Sequence, residues 1–83
     1  MSEKEIFDSV VKILTPYAKN QEALDQVQIG THILDDLKVN SARLVDVVLA
    51  FEDQFEIEVA DEDVDAVNTV GDAVRLIQAK LPA

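Results

Sequence analysis

Apolar positions recur at helical spacing in three strong runs and one weak run along this chain. In the first, Phe7, Val10, Val11, Leu14 and Tyr17 predict one buried helical face. Ser2 followed by Glu5 has the spacing of a capping box, which places the helix start at about Glu3. Pro16 has no N–H and disfavours helix at Thr15, so the helix ends or kinks there. In the second run, Leu44, Val47, Val48, Phe51 and Phe55 lie at i, i+3, i+4, i+7 and i+11. They predict a helix from about Ser41 to Phe55 that carries the main core face.

Between these two helices, residues 19–40 form a long connection. Its polar first part can make a short turn of helix on Ala23, Leu24 and Val27. Ile29, Ile33, Leu34 and Leu37 follow at spacings that anchor the loop on a core. A connection of this length in a small domain usually has a function. Here it spans the length of a bundle and delivers Ser41.

Ile57 and Val59 alternate like a strand, but a single such run has no partner. An extended linker is expected, then a short helix from about Asp61 with Val64 and Val67 facing inward. Thr69 with Asp72 forms another capping box, and Val70, Ala73, Val74, Ile77 and Leu81 mark the buried face of the last helix. Gly71 weakens that helix slightly and Pro82 ends it. The expected fold is all-α: a small four-helix bundle of three main helices and one short one, with a long loop between the first and second. Residues 1–83 form a single domain in this reading.

Composition supports a packed but thinly stabilised domain. The apolar fraction is 48%, normal for a globular chain, and a chain this small buries roughly 60% of its unfolded surface. There is no cysteine, which excludes disulfides and thiolate metal sites and fits a reducing compartment. No apolar run is long enough to span a bilayer, and Met1-Ser-Glu-Lys-Glu does not read as a signal peptide, so a cytoplasmic monomer is expected.

Charge changes the picture more. The net charge is −10, and residues 41–65 alone hold nine acids against Arg43. Such a field repels nucleic acid and attracts partners with basic patches. Catalysis is poorly supported. With one histidine (His32), no cysteine and no glycine-rich phosphate loop, the usual nucleophile–base pairs cannot be assembled, and His32 reads as a surface or loop-packing residue. Asp61, Asp63 and Asp65 match the first ligand positions of a calcium loop, but Ala66 stands where its glycine belongs and Asp72 where its glutamate belongs. Loose cation binding fits this cluster; a specific metal site does not.

On a helical projection at about 100° per residue from Ser41, the core face of the second helix centres near 295°. Val45 and Leu49 fall near 40° and 80°, and Glu52, Asp53 and Asp46 near 20°, 120° and 140°. The outer surface is therefore a small apolar stripe bordered by carboxylates, leading to a serine at the helix N-terminus. Free N–H groups and the helix dipole favour a bound phosphate there.

Residues 35–55, Asp-Asp-Leu-Lys-Val-Asn-Ser-Ala-Arg-Leu-Val-Asp-Val-Val-Leu-Ala-Phe-Glu-Asp-Gln-Phe, resemble the signature of acyl carrier proteins. Residues 57–63, Ile-Glu-Val-Ala-Asp-Glu-Asp, and 68–74, Asn-Thr-Val-Gly-Asp-Ala-Val, resemble that family's third-helix entry and the start of its last helix. The likeness covers nearly the whole chain and is strongest from Ile33 to Ile77. It implies the carrier bundle, with Ser41 as the attachment site of a covalent 4′-phosphopantetheine arm. Val45, Asp46, Leu49, Glu52, Asp53 and Glu56 match the partner-recognition positions.

The implied function is to hold acyl groups as thioesters and present them to fatty-acid, lipid or polyketide-type enzymes, after loading by a phosphopantetheinyl transferase. Val47, Val48, Phe51 and Ile77 are candidate lining for an acyl chain folded back into the bundle. An aminoacyl, peptidyl or D-alanyl carrier is the alternative within carriers, and an unmodified acidic adaptor the alternative outside them. Five positions depart from the pattern: Lys38 replaces the turn glycine, Asn40 the aspartate before the serine, Ala42 a leucine, Arg43 a frequent acid and Ala60 a frequent proline. They point to a specialised member with its own partners.

Overall fold

The computed structural model describes residues 2–81. Five helices follow one another: α1 (Glu3–Leu14), α2 (Gln21–Asp25), α3 (Ser41–Phe55), α4 (Asp61–Asp65) and α5 (Val70–Lys80). The expected turn of helix within the first connection is α2, capped by the Asn20 side chain. Three long helices, a short α4 and a long α1–α3 loop make up the expected bundle.

Capping explains most boundaries. Ser2 Oγ accepts from Glu5 N–H while Glu5 accepts from Ser2 N–H, closing the capping box of α1. Thr69 and Asp72 repeat this at α5. The α3 helix ends at Glu56, which turns into the left-handed region at φ 54°. Ile57 N–H then returns to the Glu52 carbonyl at 3.1 Å, while the Ile57 side chain enters the core. This is the hydrophobic contact that often accompanies a left-handed helix end. The expected stop at Pro82 lies outside the described residues.

A single apolar cluster fills the interior. Leu44, Val47, Val48, Phe51 and Phe55 of α3 meet Val70, Ala73, Val74 and Ile77 of α5 and a buried row from α1. That row is Ile6, Val10 and Leu14, a rotation from the expected face: Phe7, Val11 and Tyr17 are only half-buried. Both rows have helical spacing, so periodicity alone does not choose between them; packing against α5 does. Leu81, expected inside, is half-buried.

The long loop is tied to the start of α5 by backbone bonds. Ile33 N–H donates to Asn68 C=O at 3.0 Å, Val70 N–H to Thr31 C=O at 2.9 Å and Gly71 N–H to Ile29 C=O at 2.8 Å. Ile33, Leu37 and Val39 are buried beneath it. Ile29, expected as an anchor, instead leaves its side chain exposed; its backbone does the anchoring. Gly71 has a role beyond weakening a helix. A Cβ there would collide with the Ile29 side chain and stand 2.9 Å from the Ile29 carbonyl oxygen. Only glycine admits this approach.

Candidate functional site

The serine is delivered by a loop whose last turn is held from two sides. Lys19 and Asn20 N–H groups both donate to the Leu37 carbonyl at 3.1 Å, and the Asn20 side-chain amide donates to Asp36 C=O at 3.0 Å. Lys38 then takes a left-handed conformation, φ 59°, at the position where the resemblance expects glycine. That turn puts Val39 inside and leaves Asn40 and Ser41 outside.

Asn40 is the cap of α3. Its Oδ1 accepts from Ala42 N–H at 2.8 Å, and its carbonyl accepts from Arg43 N–H at 2.8 Å. Ser41 is the first helical residue and is exposed. Its hydroxyl is therefore not consumed by capping, and it stands at the positive end of the dipole of a helix of 15 residues. A phosphate ester on Ser41 fits this setting sterically and electrostatically.

The outer surface of α3 matches the projected stripe. Val45 and Leu49 are both 55% exposed, high for apolar residues on a helix otherwise packed into a core. They line a depression of about 240 Å³ between α3 and α4, together with Val48, Glu52, Val59, Asp61, Val64 and Asp65. Of the expected docking residues, the depression gathers Val45, Leu49 and Glu52. Asp53 and Glu56 are exposed beyond it, and Asp46 accepts from Arg43 at 3.2 Å.

Of the candidate acyl lining, Val47, Phe51 and Ile77 are buried in the core, and Val48 also reaches the depression. Val59 supplies an apolar wall that helical spacing could not reveal. Its signal is the period-two alternation of the extended segment, which turns Ile57 and Val59 inward, one to the core and one to the depression, and leaves Glu58 exposed. His32 is exposed and pairs through its backbone with Thr69.

The acids of α4 divide. Asp63 pairs with Lys80 of α5 at 3.2 Å and accepts from Ala60 N–H. The Lys80 hydrogen bond, then that from Ala60, holds its carboxyl below the usual value. Asp61 and Asp65 remain at the rim of the depression. Among the described residues no three His, Cys, Asp or Glu side chains are grouped to hold a metal ion, and no helix is long and apolar enough to cross a membrane.

Residues 18–77 match the family described as "Phosphopantetheine attachment site". The chain is 39% identical to an acyl carrier protein of Thermotoga maritima over 80 residues, covering 96% of each. It is 35% identical to an acyl carrier protein of Petrotoga mobilis over 81 residues, covering 98% of this chain and 93% of that one. Its fold superposes on a solved acyl carrier protein of Enterococcus faecalis with a TM-score of 0.78 at 35% identity, covering 96% of this chain and 99% of the other.

Proposed function

The chain belongs to the acyl carrier protein family, and from that premise we propose that Ser41 is the residue that bears its 4′-phosphopantetheine. As a member it is a carrier and not a catalyst: acyl intermediates travel on the covalently attached arm. The arm supplies the thiol that a chain without cysteine lacks. The observation that carries the assignment is that Asn40 takes over capping and leaves the exposed Ser41 hydroxyl free at the head of α3.

In the loading step the Ser41 hydroxyl displaces the nucleotide from coenzyme A. A serine–phosphate ester replaces the phosphoanhydride bond, and the hydroxyl proton passes to a base of the transferase. Enzymes of the fatty-acid type with basic patches then meet the outer strip of α3. Glu52, Asp53 and Glu56 steer the encounter, and Val45 and Leu49 give it an apolar seat. Such docking is fast, weak and salt-sensitive. An attached acyl chain folds into the depression between α3 and α4, against Val45, Val48, Leu49, Val59 and Val64. In this reading residues 1–83 are one carrier domain, monomeric and working in the cytoplasm.

Ser41→Ala tests the assignment. With Asn40 as the cap, the variant keeps its helicity, and intact mass after treatment with a phosphopantetheinyl transferase and coenzyme A shows no adduct. The same adduct on the variant would place the arm elsewhere. Unmodified wild-type protein from the native host would favour an acidic adaptor instead.

A further inference from the structure

The two ends of α3 differ in charge. Each of α1, α2, α4 and α5 has an acid in its first turn, and α3 has none. Arg43 stands there instead, against the helix dipole, which disfavours a cation at this end. Its guanidinium meets Asp46 at 3.2 Å, with side chains 67% and 44% exposed, so the pair is open to solvent and to exchange with a partner.

Other cations gather at the same end. Lys19 lines a hollow of about 380 Å³ with Tyr17, Asn40 and Arg43, and Lys38 sits on the exposed turn before Asn40. The acids nearest in sequence are Asp35, Asp36 and Asp46. Asp36 is engaged by the His32 N–H at 2.9 Å and Asp46 by Arg43. Toward the other end the field is one-sided: from Leu44 to Val74 the chain has no lysine or arginine, while Glu52, Asp53 and Glu56 follow one another along the surface.

We propose that Arg43 determines which transferase loads this chain: the cognate enzyme offers a carboxylate to Arg43 at the rim of its active site and cations farther along α3. The inference rests on Ser41 as the attachment site. An enzyme that reacts at the Ser41 hydroxyl must close its active site over the first turn of α3 and so must meet Arg43. Enzymes that act on the acyl group work at the far end of the arm and need not cover that turn. A rim of lysine and arginine, suited to a uniformly acidic helix, places like charges together here. The residue therefore rejects such enzymes as well as attracting its own.

The test compares two purified transferases: that of the chain's native host, and one whose own carrier has an acid at the position of Arg43. Each loads the full chain from coenzyme A at low ionic strength, with rates read by intact mass and folding checked by circular dichroism. Expected for the host enzyme is a loss of at least about tenfold in kcat/KM for Arg43→Asp, carried mainly by KM, with most of it recovered in Arg43→Lys. The foreign enzyme gains by a similar factor on Arg43→Asp. Lys4→Asp, which changes the total charge equally but on α1, leaves both rates alone. Equal loading of Arg43→Asp and wild type by both enzymes overturns the proposal, as does a Lys4→Asp loss matching that of Arg43→Asp. If wild type takes no arm from either enzyme, the Ser41 assignment itself falls and the proposal falls with it.

Discussion

Two connections flank α3, and they are held in different ways. The loop before it, residues 26–40, is short of regular structure yet pinned to α5 by three backbone hydrogen bonds and by the buried Ile33, Leu37 and Val39. The segment after it, residues 57–68, contains a helix, yet α4 has no buried residue and no side-chain cap. Ile57 and Val67 anchor its two ends, and the Lys80–Asp63 pair ties its middle to α5. Regularity is therefore a poor guide to fixity in this molecule. The irregular side holds a serine in place; the helical side is anchored at its two ends and by one ion pair.

The largest expected effect tests that contrast directly. Leu37→Ala empties a fully buried site under the loop and should cost about 2–5 kcal/mol. Val64→Ala on half-buried α4 should cost about 1 kcal/mol or less. Urea titration of both variants measures the gap, and equal losses would abolish the distinction.

Gly71→Ala comes next. Helix propensity alone would stabilise the protein by about 1 kcal/mol, but the new Cβ meets Ile29, and overpacking costs about 1–3 kcal/mol. A net loss is expected, with faster amide exchange at Val70 and Gly71. A gain in melting temperature would show that the loop can lift freely.

At the joint between loop and helix, Asn40→Ala should cost about 1 kcal/mol by loss of the cap. Ser41→Ala should leave stability nearly unchanged, and thermal melts of the two variants decide which residue caps.

The smallest effect is in acid. Asp63 titrates below the ordinary carboxylate value chiefly through Lys80, and Asp72 does so chiefly through the Thr69 N–H. Because both folded values are depressed, their contributions are present above the unfolded value of about 3.9. They are lost as pH falls through the folded values. Carboxyl NMR should show Lys80→Ala returning Asp63 toward its ordinary value while Asp72 stays low.

What was legible in the sequence follows the same division. The α3 helix is bounded by signals within its own reach: its apolar face runs from Leu44 to Phe55 and Asn40 precedes its first turn. Ser2 with Glu5, and Thr69 with Asp72, announce helix starts in the same local way. The exposed stripe of Val45 and Leu49 could be projected because a single helix carries it. What escaped depends on distant parts of the chain. The rotation of α1 onto Ile6 is set by α5. The burial of Val39 depends on a left-handed Lys38, and the need for glycine at position 71 depends on Ile29, more than forty positions earlier. Local spacing contains none of these.

The bonds from Ile29, Thr31 and Ile33 to the segment 68–71 also carry a consequence for the order of synthesis. A chain grows from its N-terminus, so Ser41 is joined to the chain before Asn68, Val70 and Gly71 exist. Until they do, the loop is held only at its Leu37 end, by Lys19 and Asn20. The seat of Ser41 therefore depends on residues 68–71, and a chain truncated before them would lack those three bonds.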